Sequence, residues 1–297
     1  MEIAQLHRFR LVVLVLAGLL SLASGSENRA FADGAEDAPR KIKPPPTLLG
    51  GVDPLWVQVS KCIQYALKAN LLARDLDFTK APAAPCAYVD SPTGINSLIG
   101  AGYTIVKDIS AKKTAAFLAL PSKIVTGIED PQVYYFAGPS SNSTYSHNYW
   151  SDAWGLRKYV RVASGKTLTD LQLGLAINSV AARTINQLHI HMACLRKDVR
   201  LAIAGKATAN WSAKPIVMPP APGQTTGHSY YLILLASLIN QNPFLVMHSA
   251  PLFKDPGLVT MVVAGAPNNR FYLLLDYTTA TDRGFGEELL DQSCTDP

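Results

Sequence analysis

No Cys-x-x-Cys pair occurs in the sequence, which removes the usual support for a zinc ribbon or a dithiol redox centre. Charge is also scarce. Asp, Glu, Lys and Arg make up 16% of the chain, against 48% hydrophobic residues, so a disordered chain is excluded and a substantial core is available. No long Lys/Arg run with interleaved aromatics is present, so nucleic acid is not an expected partner. No period of 20 to 50 residues recurs, which excludes a repeat architecture. The basic excess is mild, a formal +5 over 297 residues, and suits an anionic ligand or an anionic membrane surface.

The N-terminus carries the first specific signal. His7, Arg8 and Arg10 precede an apolar run from Leu11 to Ala23 that lacks a polar face. The run is shorter than the ~20 residues of a spanning helix. Small residues follow, with Ala30-Phe31-Ala32 and Ala23-Ser24-Gly25 as cleavage candidates. This pattern predicts a signal peptide or uncleaved N-terminal anchor over residues 1–32, and hence an exported protein. Residues 33–50 are polar and then proline-rich, with Lys43-Pro44-Pro45-Pro46, and predict an extended linker. One domain is expected over 51–297. Export places Cys62, Cys86, Cys194 and Cys294 where disulfides persist, and four cysteines allow three pairings.

Within the domain, Asp53-Pro54 opens a predicted helix as N-cap and first-turn proline. Trp56, Val59, Cys62, Ile63, Ala66 and Leu67 then recur at helical spacing. Strands are predicted over 102–107 and 114–120, with Pro121 ending the second. A single amphipathic helix is predicted over 149–162, where Trp150 and Trp154 share a face as core or pocket wall. A second strand pair is predicted over 171–178 and 184–195, joined by Ser179–Arg183. A short helix follows over 196–206, then a strand over 230–235 and a helix over 238–247. A hairpin over 258–264 and 271–276 turns at Pro267-Asn268-Asn269. Hairpins mixed with separate helices predict an α+β fold with an antiparallel sheet.

The informative stretch is Asn186-Gln187-Leu188-His189-Ile190-His191-Met192-Ala193-Cys194. A strand alternates faces at every residue, so Leu188, Ile190 and Met192 share an apolar face. Gln187, His189 and His191 share the other. A core-backed strand is the rigid platform that positioning chemistry needs. Three readings remain open on the residues alone. The histidines are ordinary strand residues satisfied by hydrogen bonds; or they are a metal pair, although no further His, Cys, Asp or Glu adjoins on the same face; or a neutral imidazole attacks phosphorus.

The stretch resembles the histidine-triad signature, in which three polar positions alternate with apolar ones. More closely, Leu175-Ala176-Ile177-Asn178-Ser179, Arg183-Thr184, His189-Ile190-His191 and Arg196–Arg200 resemble the bacterial CDP-diacylglycerol pyrophosphatases. The likeness continues through Gly102-Tyr103 to Lys107-Asp108, Leu120-Pro121, Gly127–Pro131, Gly227-His228 and Asn242-Pro243-Phe244, in order, over most of residues 51–297. It departs at Gln187, where the triad superfamily usually has histidine.

The resemblance implies an α+β, HIT-like antiparallel sheet with flanking helices. It implies hydrolysis of CDP-diacylglycerol to CMP and phosphatidate at a membrane surface, without cofactor or metal. It places the nucleophile on His189 and makes His191 and Gln187 donors to the phosphate. Asn178 and Ser179, at a strand end, are candidates for nucleotide contact. His228, in a glycine-flanked loop, and Lys123, just past Pro121, are candidate substrate contacts. The alternatives are a hydrolase of another nucleotide anhydride and a catalytically silent nucleotide- or lipid-binding envelope protein. For the cysteines, the pairs Cys62–Cys86 and Cys194–Cys294 are expected. The first closes a short loop between the opening helix and the proline-rich return. The second ties the polar C-terminal tail to the core side of the histidine strand.

Overall fold

The computed structural model describes residues 53–71, 74–90, 102–135, 148–279 and 283–297. The expected signal or anchor and the linker, residues 1–50, lie outside the described residues.

The chain opens on helix α1 (Pro54–Lys68), whose start follows directly from its first two residues. The Asp53 carboxylate accepts from the Leu55 backbone N–H at 2.8 Å, and Pro54 has no N–H to satisfy. Strands β1 (Cys86–Val89), β2 (Tyr103–Lys107) and β3 (Phe117–Pro121) follow as an antiparallel meander. Three short helices come next: α2 (Gln132–Tyr135), α3 (Tyr149–Gly155) and α4 (Lys158–Ser164). Strands β4 (Leu173–Ile177) and β5 (Ile190–Leu195), helix α5 (Lys197–Ile203), and strands β6 (Ile216–Val217) and β7 (Ser229–Leu235) complete the middle of the chain. Helix α6 (Pro243–Val246), the hairpin β8 (Val259–Ala266) and β9 (Arg270–Tyr277), and the two-residue β10 (Leu290–Asp291) close it.

All pairings are antiparallel, in the order β1-β2-β3-β5-β4-β8-β9-β7-β6. Strand β3 pairs with the start of β5, and β10 pairs with its end, Leu290 opposite Leu195 and Asp291 opposite Cys194. The C-terminal segment thereby continues the sheet beside the histidine strand.

The sheet is apolar on both faces. On one, Phe117, Leu173, Leu175, Ile190, Met192, Met261 and Leu273 pack against Trp150 and Trp154 of α3 and Tyr159 of α4. On the other, Ala176, Ala193, Leu195, Val262 and Leu274 pack against Val199 and Ile203 of α5. On the same side of β2 and β3, Val106, Leu118 and Leu120 meet Val59 and Ala66 of α1. Each such aliphatic side chain, fully buried, contributes about 1.5–3 kcal/mol. The α+β class and antiparallel sheet expected from sequence are those observed.

Three elements differ from the sequence reading. The helix expected over 149–162 is two helices, because the chain leaves helical hydrogen bonding at Leu156 and Arg157; the Arg157 guanidinium takes the Trp154 carbonyl and pairs with Asp170. The helix expected over 238–247 shrinks to α6, since Asn242 and Pro243 begin a new turn there, the Asn242 side chain capping Phe244 N–H at 3.0 Å. The strand expected over 184–195 begins only at Ile190. Before it, the backbone donors go elsewhere: Asn186 N–H to the Asp53 carboxylate at 3.1 Å and Leu188 N–H to the Val125 carbonyl at 2.6 Å.

The disulfides are Cys62–Cys86 and Cys194–Cys294, the expected pairing, with Cα separations of 5.6 and 5.2 Å. Cys194 sits on the core face shared with Ile190 and Met192. Two disulfides are what an oxidising compartment allows to persist. Among the described residues no helix is long and apolar enough to cross a membrane.

Candidate active site

The site lies at the start of β5, where the histidine segment is held before it becomes a strand. Arg183 grips Glu129 with two nitrogens, one at 2.7 Å, and its Nε donates to Asn186 Oδ1 at 3.1 Å. Asp53, capping α1 with one carboxylate oxygen, uses the other to hold Asn186. The face alternation read from sequence survives this irregular entry. Leu188, Ile190 and Met192 lie in one apolar cluster, while the rings of His189 and His191 meet on the other side, 4.8 Å apart and nearly perpendicular.

His189 Nδ1 lies 2.6 Å from the Gln187 carbonyl oxygen. A carbonyl only accepts, so the proton sits on Nδ1 and the lone pair on Nε2. Desolvation lowers the His189 pKa, with Arg183 adding to the effect; the Gln187 carbonyl, Glu287 and Asp53 oppose it. The result is a neutral imidazole with its nucleophilic nitrogen defined.

His191 sits between Leu118 of β3 and Ala176 of β4. Burial depresses its pKa to about 3, with His189 and Lys113 adding to this and Glu287 opposing it. Its Nε2 lies 3.0 Å from Glu287 Oε1, close but out of line for a hydrogen bond. Glu287 belongs to a short turn, Gly286–Leu289, that precedes β10. Burial works against its ionisation, yet His191, Lys113 and the Asn178 amide hold its carboxyl down at about 2. Lys113 Nζ approaches Glu287 at 3.0 Å and Asp108 at 3.2 Å.

The remaining candidates from sequence fall into three groups. Gln187 is buried; its Nε2 donates to the Lys123 carbonyl at 2.9 Å, and its Oε1 has no protein partner among the described residues. Lys123 is thus drawn to the histidine segment, and desolvation, partly offset by Asp130, brings its ammonium down to about 8. Asn178 donates to Glu287 Oε1 at 2.8 Å and accepts from Glu287 N–H at 3.3 Å, so it belongs to the His191 side of the site. Ser179 is different: its hydroxyl donates to the Arg283 carbonyl and its N–H to the Gly284 carbonyl, which holds a turn. His228 pairs through Nδ1 with Glu288 at 2.7 Å, and Tyr230 donates to the same carboxylate at 2.9 Å. Its contacts are on the far side of the acidic turn from His191.

Sequence reasoning missed Glu287, Lys113 and Glu129. Glu287 lies in the C-terminal segment, far along the chain from His191, and no local pattern marks it. It also supplies the acid that sequence did not place beside the histidines. Even so, among the described residues no group of three His, Cys, Asp or Glu is arranged to hold a metal ion. A groove of about 630 Å³, lined in part by Arg196, Lys112, Leu201 and Pro222, shares Glu287 and Glu288 with this region.

Fold and site define a class: a disulfide-braced α+β protein presenting a neutral imidazole pair at the entry of an antiparallel strand. Comparison with known proteins narrows it. The family model described as CDP-diacylglycerol pyrophosphatase matches residues 53–296. The chain is also 30% identical over 252 residues to the CDP-diacylglycerol pyrophosphatase of Yersinia pestis, an alignment covering 82% of this chain and 84% of that relative. The chain belongs to the CDP-diacylglycerol pyrophosphatase family, whose members are hydrolases acting on phosphorus anhydride bonds.

Proposed function

We propose that this protein hydrolyses CDP-diacylglycerol to CMP and phosphatidate through a nucleotidyl-histidine on His189, in the manner of the histidine-triad superfamily. The observation that carries the reading is the 2.6 Å contact between His189 Nδ1 and the Gln187 carbonyl, which leaves Nε2 as a bare nucleophile. In the first step the Nε2 lone pair attacks the cytidylyl phosphorus and the bond to the bridging oxygen breaks. Phosphatidate departs as a phosphate monoester, a good leaving group that asks little of a general acid. Water then attacks the same phosphorus, the P–N bond breaks, and CMP leaves with His189 restored. Such transfers depend mainly on positioning and charge stabilisation. His191 and Lys123 are the groups placed to supply the charge.

A nucleotide-lipid substrate also assigns the working place. The protein acts at a membrane surface after export, in the periplasm or held there by its N-terminal segment. The two disulfides support an oxidising compartment.

Release of CMP from CDP-diacylglycerol in detergent micelles tests the reading with purified protein. Activity is expected to persist in excess chelator, because the described residues around His189 and His191 offer no set of metal ligands. Complete loss with chelator and rescue by one divalent ion would replace this scheme with a metal-dependent one.

The same assay reads the electrostatics. His189 is competent only when neutral, and its pKa in the folded protein lies below the 6.5 of an unperturbed imidazole. Activity is therefore retained as pH falls through 6.5 and is lost only below it. An acid limb of kcat/KM at or above pH 6.5 would contradict the desolvated nucleophile.

A further inference from the structure

The geometry points to Glu287 as a positioning residue for the reaction proposed above. Its carboxylate keeps the neutral His191 protonated at Nε2 and stabilises the imidazolium that forms when an anionic phosphate binds, so that Nδ1 becomes the donor to that phosphate.

The placement of the carboxylate is the first support. Glu287 Oε1 lies 3.0 Å from His191 Nε2, and that nitrogen is buried with no aligned acceptor. A carboxylate cannot donate when ionised, so the proton between the two belongs to the ring. With Nε2–H committed to Glu287, the opposite nitrogen, Nδ1, is turned away from the carboxylate. A carboxylate beside a histidine in this way sets its tautomer and supports its charged form. The misalignment seen without substrate is ordinary, since catalytic hydrogen bonds tighten when the substrate arrives.

The second support is how firmly Glu287 is held, and by what. Lys113, from the β2–β3 connection, reaches Oε2 at 3.0 Å and is itself shared with Asp108 at 3.2 Å. Asn178, at the end of β4, donates to Oε1 at 2.8 Å. Gln292, just past β10, donates to Oε2 at 2.5 Å. The neighbouring Glu288 faces the other way, to His228 and Tyr230. The preceding residue must be small, because a Cβ on Gly286 would lie 2.9 Å from Thr260 Oγ1. The groups facing the pair are therefore His189, Lys113, Asp108, Asn178 and Gln292. Together they keep a carboxylate, ionised and immobile, against one edge of the imidazole. The incoming phosphate supplies the second negative charge, and the ring takes a proton from solvent as that anion binds.

Two measurements test this. In long-range ¹H–¹⁵N spectra of the wild-type protein, His191 is expected to carry its proton on Nε2; a proton on Nδ1 overturns the inference without any variant. In kinetics, Glu287→Gln is expected to lower kcat by about 10²-fold, the scale of one positioned proton donor, with KM changed by less than about twofold on that same view. Glu287→Asp should recover part of the loss. A Glu287→Gln enzyme with unchanged kcat, or one that loses melting temperature alone, overturns it. His189→Ala separates the two readings. If that variant retains activity, the proposed function fails. If it is inactive while Glu287→Gln is fully active, only the role of Glu287 fails.

Discussion

Replacing His189 with alanine is expected to reduce CMP release by at least about 10³-fold, the scale on which removal of a nucleophile is felt. The argument rests on what the ring is prepared for. Its Nδ1 proton is committed to the Gln187 carbonyl at 2.6 Å, and desolvation keeps the ring neutral. No nearby side chain can take its place: His191 has its Nε2 buried against Glu287. His191→Ala should therefore behave differently, with a reduced but measurable rate, since it removes a donor and leaves the attacking nitrogen. Rapid acid-free quenching of the wild-type reaction should reveal nucleotide covalently attached to the protein, and the His189→Ala protein should show none. A His189→Ala variant with near-wild-type turnover would remove the nucleophile assignment, whatever the fate of His191.

How much of this was legible in the sequence depends on the distance over which each feature is determined. The alternation of Leu188, Ile190 and Met192 against Gln187, His189 and His191 is local, and it survives even where the backbone is not yet a strand. The start of β5 is not local. It depends on Asp53 and Val125 drawing away the N–H groups of Asn186 and Leu188. Strand β4, Leu-Gly-Leu-Ala-Ile, is buried throughout, so it shows an apolar run with no alternation to mark its face. The break between α3 and α4 is set by an ion pair from Arg157 to Asp170, which helical periodicity does not encode. Glu287 was illegible for the same reason. Its meaning comes from a turn folded over β4, where a Cβ on Gly174 would lie 2.7 Å from Leu290.

Removing the Cys194–Cys294 bridge, by Ser at both positions, is expected to destabilise the protein more than removing Cys62–Cys86. The two bridges close loops with sequence separations of 100 and 24 residues. In the chain-entropy model such loops contribute about 4.7 and about 3 kcal/mol. The larger figure is an upper value here, because the tail is held by more than sulfur. Lys166 donates to the carbonyls of Cys294 and Thr295 at 2.7 and 2.8 Å, and Arg200 and Gln172 both reach the Pro297 carbonyl. The expectation of a tail with little besides the bridge to fix it therefore needs amending: polar contacts share the task. The functional consequence separates the bridges further. Cys294 follows β10, which pairs with the histidine strand, and β10 follows the turn that carries Glu287. Loosening that end loosens the carboxylate beside His191. Cys62–Cys86 instead joins α1 to β1, at the opposite flank of the sheet from the acidic turn. Assayed well below either melting temperature, the protein lacking Cys194–Cys294 should lose kcat as well as stability. The protein lacking Cys62–Cys86 should lose mainly stability. Equal kcat for both variants, or a larger melting shift for the Cys62–Cys86 variant, would show that the C-terminal bridge does not hold the site.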